Sequence, residues 1–154
     1  MAALCTFSFK GFTIRPAMTF SDCRLARNWT QADPEHRDTT NGGFWLEQCM
    51  GTESYVMEDR EGVIFFFKLV RAPKDEIELH IQFAPPVEEP TARAEMKERT
   101  MRGLILGLEW MERALVQREI AALFFVSKSQ NLIRFAKKHC GFVEDGKRFI
   151  HRLA

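Results

Sequence analysis

Glu76, Glu78, His80 and Gln82 alternate with Ile77, Leu79, Ile81 and Phe83. A period of two across residues 75–83 predicts a strand with one polar and one apolar face, which places the Glu78 and His80 side chains one strand repeat apart on the same side. A carboxylate and an imidazole so arranged can accept a proton, directly or through water; the same row also suits the wetter face of an ordinary sheet. A second set is cationic. Lys97, Arg99 and Arg102 fall early in a helix-patterned stretch and can pair with phosphate, although a charge run of this kind equally forms the solvated side of a helix. A third set lies in residues 127–142, SKSQNLIRFAKKHCGF, which carries Asn131, Lys137, His139 and Cys140. His139 and Cys140 are neighbours in sequence, but adjacent helix positions point in different directions, and Cys140 reads as small-residue packing.

The elements that would position these residues follow from periodicity and turn chemistry. Residues 12–15 form a short strand ended by Pro16, and Thr19 or Ser21 can cap a helix through Trp29 with Leu25, Ala26 and Trp29 on one side. Residues 30–38 read as a polar loop. A second helix is expected over residues 40–50, with Gly51 as its stop. Strands at 54–58 and 63–70 flank the turn Asp59-Arg60-Glu61-Gly62 and form a hairpin; Phe65, Phe66 and Phe67 in a row mark the second as buried on both faces. After the strand over 75–83, Pro85, Pro86 and Pro90 break the chain. A long helix then starts at Thr91 and ends near Arg118, with Ala94, Met101, Leu104, Ile105, Leu108, Met111 and Leu115 at helical spacing. Gly103 and Gly107 within it predict close approach to a neighbour. Residues 120–126 are a fully apolar strand, and strand–helix–strand units of this size join parallel strands by a right-handed crossover. Ser129 caps a last helix ending at Cys140 and Gly141. A hairpin of 142–144 and 148–153 through Asp145-Gly146 closes the chain.

Composition restricts the function classes. A chain of 154 residues buries about 70% of its unfolded surface, enough for one domain with a core. Lys and Arg number 22 against 21 Asp and Glu, for a net charge of +1, so no global field captures a polyanion. Lys128, Arg134, Lys137, Lys138, Lys147 and Arg148 gather late in the chain without aromatic interleaving, and nucleic acid is not the expected partner. Cysteines at 5, 23, 49 and 140 spell no CxxC pair, so neither a zinc ribbon nor a redox motif is expected, and reduced thiols in the cytoplasm are. No metal site is expected. Residues 1–9 have no signal-peptide pattern, and no apolar run reaches the length of a membrane helix.

The order strand, two helices, three strands, long helix, strand, short helix, two strands resembles the GNAT superfamily of N-acetyltransferases over nearly the whole chain. Residues 127–142, with an Asn near the start and Gly141-Phe142 at the end, are similar to that family's strand-to-helix segment. FFFKLVR at 65–71 and ELHIQF at 78–83 also resemble acetyltransferase-like proteins encoded in tailed-phage genomes. The resemblance implies an α/β (α+β) acyl-CoA N-acyltransferase-like fold: one domain over 1–154, a central mixed twisted sheet and helices on both faces. It implies acetyl-CoA as acyl donor, its pantetheine arm pairing with the end of the fourth strand at Ile81, Gln82, Phe83 and Ala84. The pyrophosphate would lie on backbone amides at the start of the long helix.

By the same resemblance the family's Gly-rich phosphate loop falls at residues 96–101, where its glycine positions hold Arg99 and Met101, so that Arg99 and Arg102 would meet phosphate with side-chain charge. Asn131 matches the family's Asn one residue late. Lys137 stands where many members carry a Tyr that protonates the departing thiolate, and is either a cationic partner for thiolate or phosphate or an ordinary lysine at a helix C-terminus. Glu78 or His80 would remove the proton of the acceptor. The first helix and the loop after it would wall the acceptor side; there Trp29 reads as a core anchor and His36 as an exposed loop histidine beside Asp33. The implied activity is acyl transfer to an amine of a small molecule or protein, in the cytoplasm and away from membranes. The alternative is a non-catalytic protein of the same fold used for binding or structure, including as a phage virion component.

Overall fold

Eight extended segments pair in one open sheet in the computed structural model, which describes residues 6–17, 19–37 and 53–153. In chain order they are β1 (Phe7–Phe9), β2 (Phe12–Pro16), β3 (Ser54–Asp59), β4 (Gly62–Ala72), β5 (Glu76–Phe83), β6 (Ala122–Phe125), β7 (Val143–Asp145) and β8 (Arg148–Arg152). The helices are α1 (Phe20–Ala32), α2 (Pro90–Gln117) and α3 (Gln130–His139). The sheet runs β1-β2-β3-β4-β5-β6-β8-β7. β5 and β6 are parallel, as the long helix between them requires, whereas β1–β2, β2–β3, β3–β4, β6–β8 and β7–β8 are antiparallel. The class is the expected mixed α/β one. The helix expected over 40–50 lies outside the described residues.

The chain divides into two compact units, one built from the residues up to Lys68 with Ile81–Gly103, the other from Leu69–His80 with the chain from Leu104 onward. In the first, the β3–β4 register sets Val56 opposite Phe66, Met57 opposite Phe65 and Tyr55 opposite Phe67. Because successive side chains alternate, the two strands present different sets to the two faces. Val56 and Phe66 cluster with Ala17 and Ala26, and Leu25, Trp29 and Val63 pack against them; Trp29 meets Phe66 edge-on at 5.3 Å between ring centroids. Trp29 is thus the core anchor expected of it. On the other face a Cβ built on Gly103 of α2 would lie 3.1 Å from Phe65 and 3.2 Å from Met57, so the helix backbone is pressed onto the sheet where no side chain intervenes.

Local signals account for most element ends. Thr19 caps α1 through its side chain and the Asp22 backbone N–H, while the Asp22 carboxylate accepts from the Thr19 N–H, a reciprocal capping box. α1 continues past Trp29 to Ala32, into the expected loop, because the buried Thr30 hydroxyl donates to the Ala26 carbonyl at 2.7 Å and so satisfies itself inside the helix. The first strand was not expected at all: Phe7 and Phe9 flank Ser8, and Lys10 (φ 50°) and Gly11 (φ 84°) make the tight turn into β2.

In the second unit β6 is shorter than the apolar run 120–126, and Val126 beyond it is exposed. Phe125 stacks on Phe149 at 5.4 Å and meets Phe142 edge-on at 5.1 Å. Leu108, Met111 and Leu115 of α2 are buried, whereas Leu104 is half-buried and Ile105 and Ala94 are exposed, so the expected stripe holds only along the C-terminal half of the helix. Phe124 and Ile133 are half-buried. Among the described residues no helix is long and apolar enough to cross a membrane.

Replacing Gly103 with Leu should destabilise the protein by about 1–3 kcal/mol through overpacking against Phe65 and Met57. Gly103→Ala should be near neutral, because a helix-propensity gain of about 1 kcal/mol offsets the tighter contact. Urea unfolding of the two variants checks this; an unchanged midpoint for Gly103→Leu would show that the helix is not pressed onto the sheet.

Candidate functional site

The polar row of β5 is not one uniformly wet face. Glu76 is 6% exposed and Gln82 fully buried, while Glu78 and His80 between them are half-exposed. Each buried member has found its partners. Arg148 donates to Glu76 at 2.6 Å and to Asp145 at 2.9 Å, and its guanidinium lies over the Phe124 ring at 4.7 Å. Both carboxylates raise the pKa of Arg148, the hydrogen bond that it donates to Glu76 most. Glu78 and His80 stand together as the alternation predicts, Oε1 of the one 3.4 Å from Nε2 of the other.

Gln82 organises a second group that the sequence analysis did not assemble. Its side-chain amide donates to Asp33 Oδ2 at 3.0 Å and to the Phe83 carbonyl at 3.0 Å, and its Oε1 lies 2.7 Å from His36 Nδ1. His36 is therefore not the exposed loop histidine expected of it: its side chain is 24% exposed, with Nδ1 also 3.3 Å from Asp33 Oδ2. The turn after α1 makes this possible. Asp33 Oδ1 accepts the Glu35 N–H at 2.9 Å, and the Asp33 carbonyl accepts from the His36 and Arg37 N–H groups, which folds the chain back so that residues 33 and 36 face the same amide. The only signal in the sequence was an Asp three residues before a His; nothing local pointed to residue 82.

β5 also outlasts its neighbour. Its parallel ladder with β6 pairs Glu76 with Ala122, Ile77 with Leu123 and Glu78 with Phe124, and β5 then continues to Phe83. The main chain of Ile81, Gln82 and Phe83 lies beyond the ladder. Ile81, Phe83 and Ala84 are half-buried, and the Phe83 ring packs edge-on against Phe65 at 5.8 Å.

The residues that the resemblance assigns to phosphate stand as follows. Residues 96–101 are not a loop: they lie inside α2, well past its first turn, and a helix interior spends its amides on its own carbonyls. Arg99 is paired with Asp59. Its Nε and an Nη donate to the two Asp59 oxygens, each at 2.7 Å, and it also reaches the Gly62 carbonyl at 3.3 Å. The Arg99 hydrogen bonds hold the Asp59 carboxyl below the usual carboxylate range, and the same pairing raises Arg99 itself. Arg102 is exposed on α2. At the helix start, the amides of Thr91 and Ala92 are occupied by the Glu89 carboxylate at 3.0 and 2.6 Å, and the Ala92 N–H above all lowers the pKa of that carboxyl. The negative charge favoured at a helix N-terminus is thus supplied by the chain itself.

On α3, Ser129 caps the helix as expected, accepting the Leu132 N–H at 3.3 Å. Asn131 in the first turn and Lys137 in the last are both exposed. Cys140 follows as the cap residue, and burial, with a smaller contribution from Glu112, pushes its thiol up to about 11, so it is not a thiolate nucleophile at neutral pH. Among the described residues no group of three or more His, Cys, Asp or Glu could hold a metal ion.

The open mixed sheet, with a parallel pair joined by a long helix, is a fold that this chain shares with solved acetyltransferases of the GNAT family. No family model matches the sequence, and no curated protein matches it; the likeness is one of structure. An acetyltransferase of the GNAT family from Bacillus anthracis superposes with a TM-score of 0.66 at 10% identity, covering 97% of this chain and 98% of that one. A spermidine N-acetyltransferase chimera involving the Vibrio cholerae enzyme gives 0.64 at 17% identity over 93% and 96%. N-acetylglutamate synthase from Neisseria gonorrhoeae, solved with coenzyme A and N-acetyl-glutamate, gives 0.59 at 15% identity over 96% of this chain and 36% of that one.

Asp59→Asn should lower stability at neutral pH by about 1.5–3 kcal/mol, the range for hydrogen bonds to a charged group. Because Asp59 has a depressed pKa in the folded state, its contribution is present above the unfolded carboxyl pKa and is lost as pH falls through the folded one. The gap between parent and variant in urea unfolding should therefore close as the solution is acidified. A gap that persists unchanged to the acid limit would mean that the Arg99 pairing does not stabilise the fold.

Proposed function

We propose that this chain transfers an acyl group, acetyl in the simplest case, from a coenzyme A thioester to an amine of a small molecule or a protein. The observation that carries the reading is the stretch of β5 beyond its ladder with β6, in a chain whose structural neighbours include a coenzyme A complex. An extended amide-containing arm can add to such main chain as a strand would, through backbone hydrogen bonds. Ile81, Gln82, Phe83 and Ala84 take that role here. The donor supplies an activated acyl group; the protein supplies orientation and proton handling.

The phosphate end of the donor meets a different surface from the one the family pattern implies. With the amides at the helix start held by Glu89 and Arg99 paired with Asp59, the exposed Arg102 is the α2 cation that this proposal assigns to phosphate. Glu78, with His80 beside it, takes the proton of the acceptor ammonium, at the carboxylate oxygen or through an intervening water. Two of the neighbours are named for polyamine and amino-acid chemistry, spermidine and glutamate, so both amine types belong in an acceptor panel. The Glu89 contact favours a second reading, a binding or structural protein that has given up the phosphate cradle.

Acetyl-CoA should raise the thermal midpoint, since a ligand of the folded state alone adds to apparent stability. Arg102→Ala should weaken acetyl-CoA by about 1.5–3 kcal/mol, the scale of a hydrogen bond to a charged group, and leave acetyl-pantetheine unchanged; equal effects on both would remove Arg102 from the site. No thermal shift at millimolar donor would favour the binding reading. Glu78→Gln should keep the fold and donor affinity while slowing turnover roughly 10²- to 10⁴-fold, and unchanged turnover would take Glu78 out of the reaction.

A further inference from the structure

Two acceptors converge on one imidazole in the second unit. His151 of β8 has Nε2 2.7 Å from Glu112 Oε1 on α2, and Nδ1 3.1 Å from the Gly141 carbonyl, one residue past the Cys140 cap of α3. A main-chain carbonyl and a carboxylate only accept, so each ring nitrogen needs a hydrogen, and the neutral ring carries one. The second proton therefore belongs to the His151–Glu112 pair, whichever of the two facing atoms holds it. Without it a nitrogen lone pair is turned against an oxygen. Position 141 is shaped for this contact: its φ is +72°, and a Cβ there would lie 3.1 Å from His151 Nδ1. The His151 side chain is 21% exposed, and the Phe142 ring lies 5.5 Å from the imidazole.

We propose that His151 and Glu112 form a proton-dependent latch, which holds β8 and the corner between α3 and β7 to α2 while the pair keeps its shared proton, and loosens as rising pH removes it. The latch is independent of the acyl-transfer reading. Its sign follows from the hydrogen bonds: a charge-assisted contact is roughly twice as strong as a neutral one, so the corner is held on the acid side of the imidazole range and released on the alkaline side. Three elements bring other groups to the ring. β6 sets Leu123 opposite His151, an apolar neighbour. At the end of α3, burial and Glu112 push the Cys140 thiol up to about 11, above the range in which an imidazole titrates. The last turn of α3 carries Lys137 and Lys138, both exposed, and His139, whose ring lies 5.1 Å from Phe135. A charged His139 favours a helix C-terminus and acts in the same direction as the latch, so the two must be separated by experiment.

The amides of Cys140 and Phe142 both donate to the Ala136 carbonyl and report whether the corner is closed. Hydrogen exchange of the full chain, read by NMR and corrected for intrinsic alkaline catalysis, should show their protection falling about 10- to 100-fold between about pH 5.5 and about pH 8.5, the scale of a hydrogen bond to a charged group across the imidazole range. His139→Gln should keep that fall. Glu112→Gln should abolish it, because an amide can turn its NH2 toward the Nε2 lone pair and needs no extra proton to do so. Constant protection in the parent protein overturns the proposal, as does a fall that survives Glu112→Gln or one that disappears with His139→Gln. The parent measurement decides even where a variant fails to fold.

Discussion

A polar side chain buried in a sheet must find all its hydrogen bonds inside the protein, and β5 carries two such side chains. Glu76 is met by Arg148, Gln82 by Asp33 and His36. An unsatisfied buried amide costs about 1–3 kcal/mol, and an unpaired buried carboxylate costs more, so each of these residues dictates where a distant segment must pass. Arg148 has to lie at the start of β8, beside β6, and the turn after α1 has to fold back toward residue 82. Between them Glu78 and His80 remain in contact with solvent and with each other. One strand thereby holds two different environments within a few residues: a wet carboxylate–imidazole pair, and a dry amide that locks a second imidazole.

The charged side chains outside β5 follow a related economy. Arg15 forks between Asp22 and Glu58, Arg99 embraces Asp59, and Arg148 joins Glu76 to Asp145. Burial alone would push the Asp22 carboxyl up, but the Arg15 hydrogen bonds and charge overcome it and leave the pKa lowered. The planar guanidinium, with its fixed fork of donors, suits such two-oxygen pairing better than a lysine ammonium does. A chain with nearly equal numbers of acids and bases can therefore spend its arginines internally, which is why a cation-rich helix stretch is weak evidence for an anion site. The start of α2 makes the converse point. Its amides attract negative charge, and a glutamate one position before the helix meets that demand without any ligand.

Most of the architecture was legible from one dimension. The alternation over 75–83, the turn at 59–62, the Ser129 cap and the glycine after Cys140 each depend on side-chain direction or backbone conformation within a few residues, and those rules operate wherever the segment ends up. The parallel pairing of β5 with β6 followed from the length of the intervening helix alone. The close approach at Gly103 was likewise visible as a missing side chain in an apolar stripe. Even the first hairpin, which the sequence analysis passed over, had its Lys-Gly turn between Phe7-Ser8-Phe9 and Phe12.

What tertiary structure alone decided was which polar groups meet. Nothing near residue 99 announces Asp59, and nothing near residue 82 announces His36, because these pairs are separated by 40 and 46 positions and are brought together only when the strands and helices have packed. A side chain's type limits what it can bond. Its partner depends on geometry accumulated over the whole fold. The sequence by itself therefore determined the α/β class, the order of the described elements from β2 onward and the Glu78–His80 pair, all of which rest on local periodicity. The pairing of Arg99 with Asp59 and the Asp33–His36–Gln82 group were decided by long-range packing, since buried polar atoms must be satisfied by whatever the completed fold places within reach.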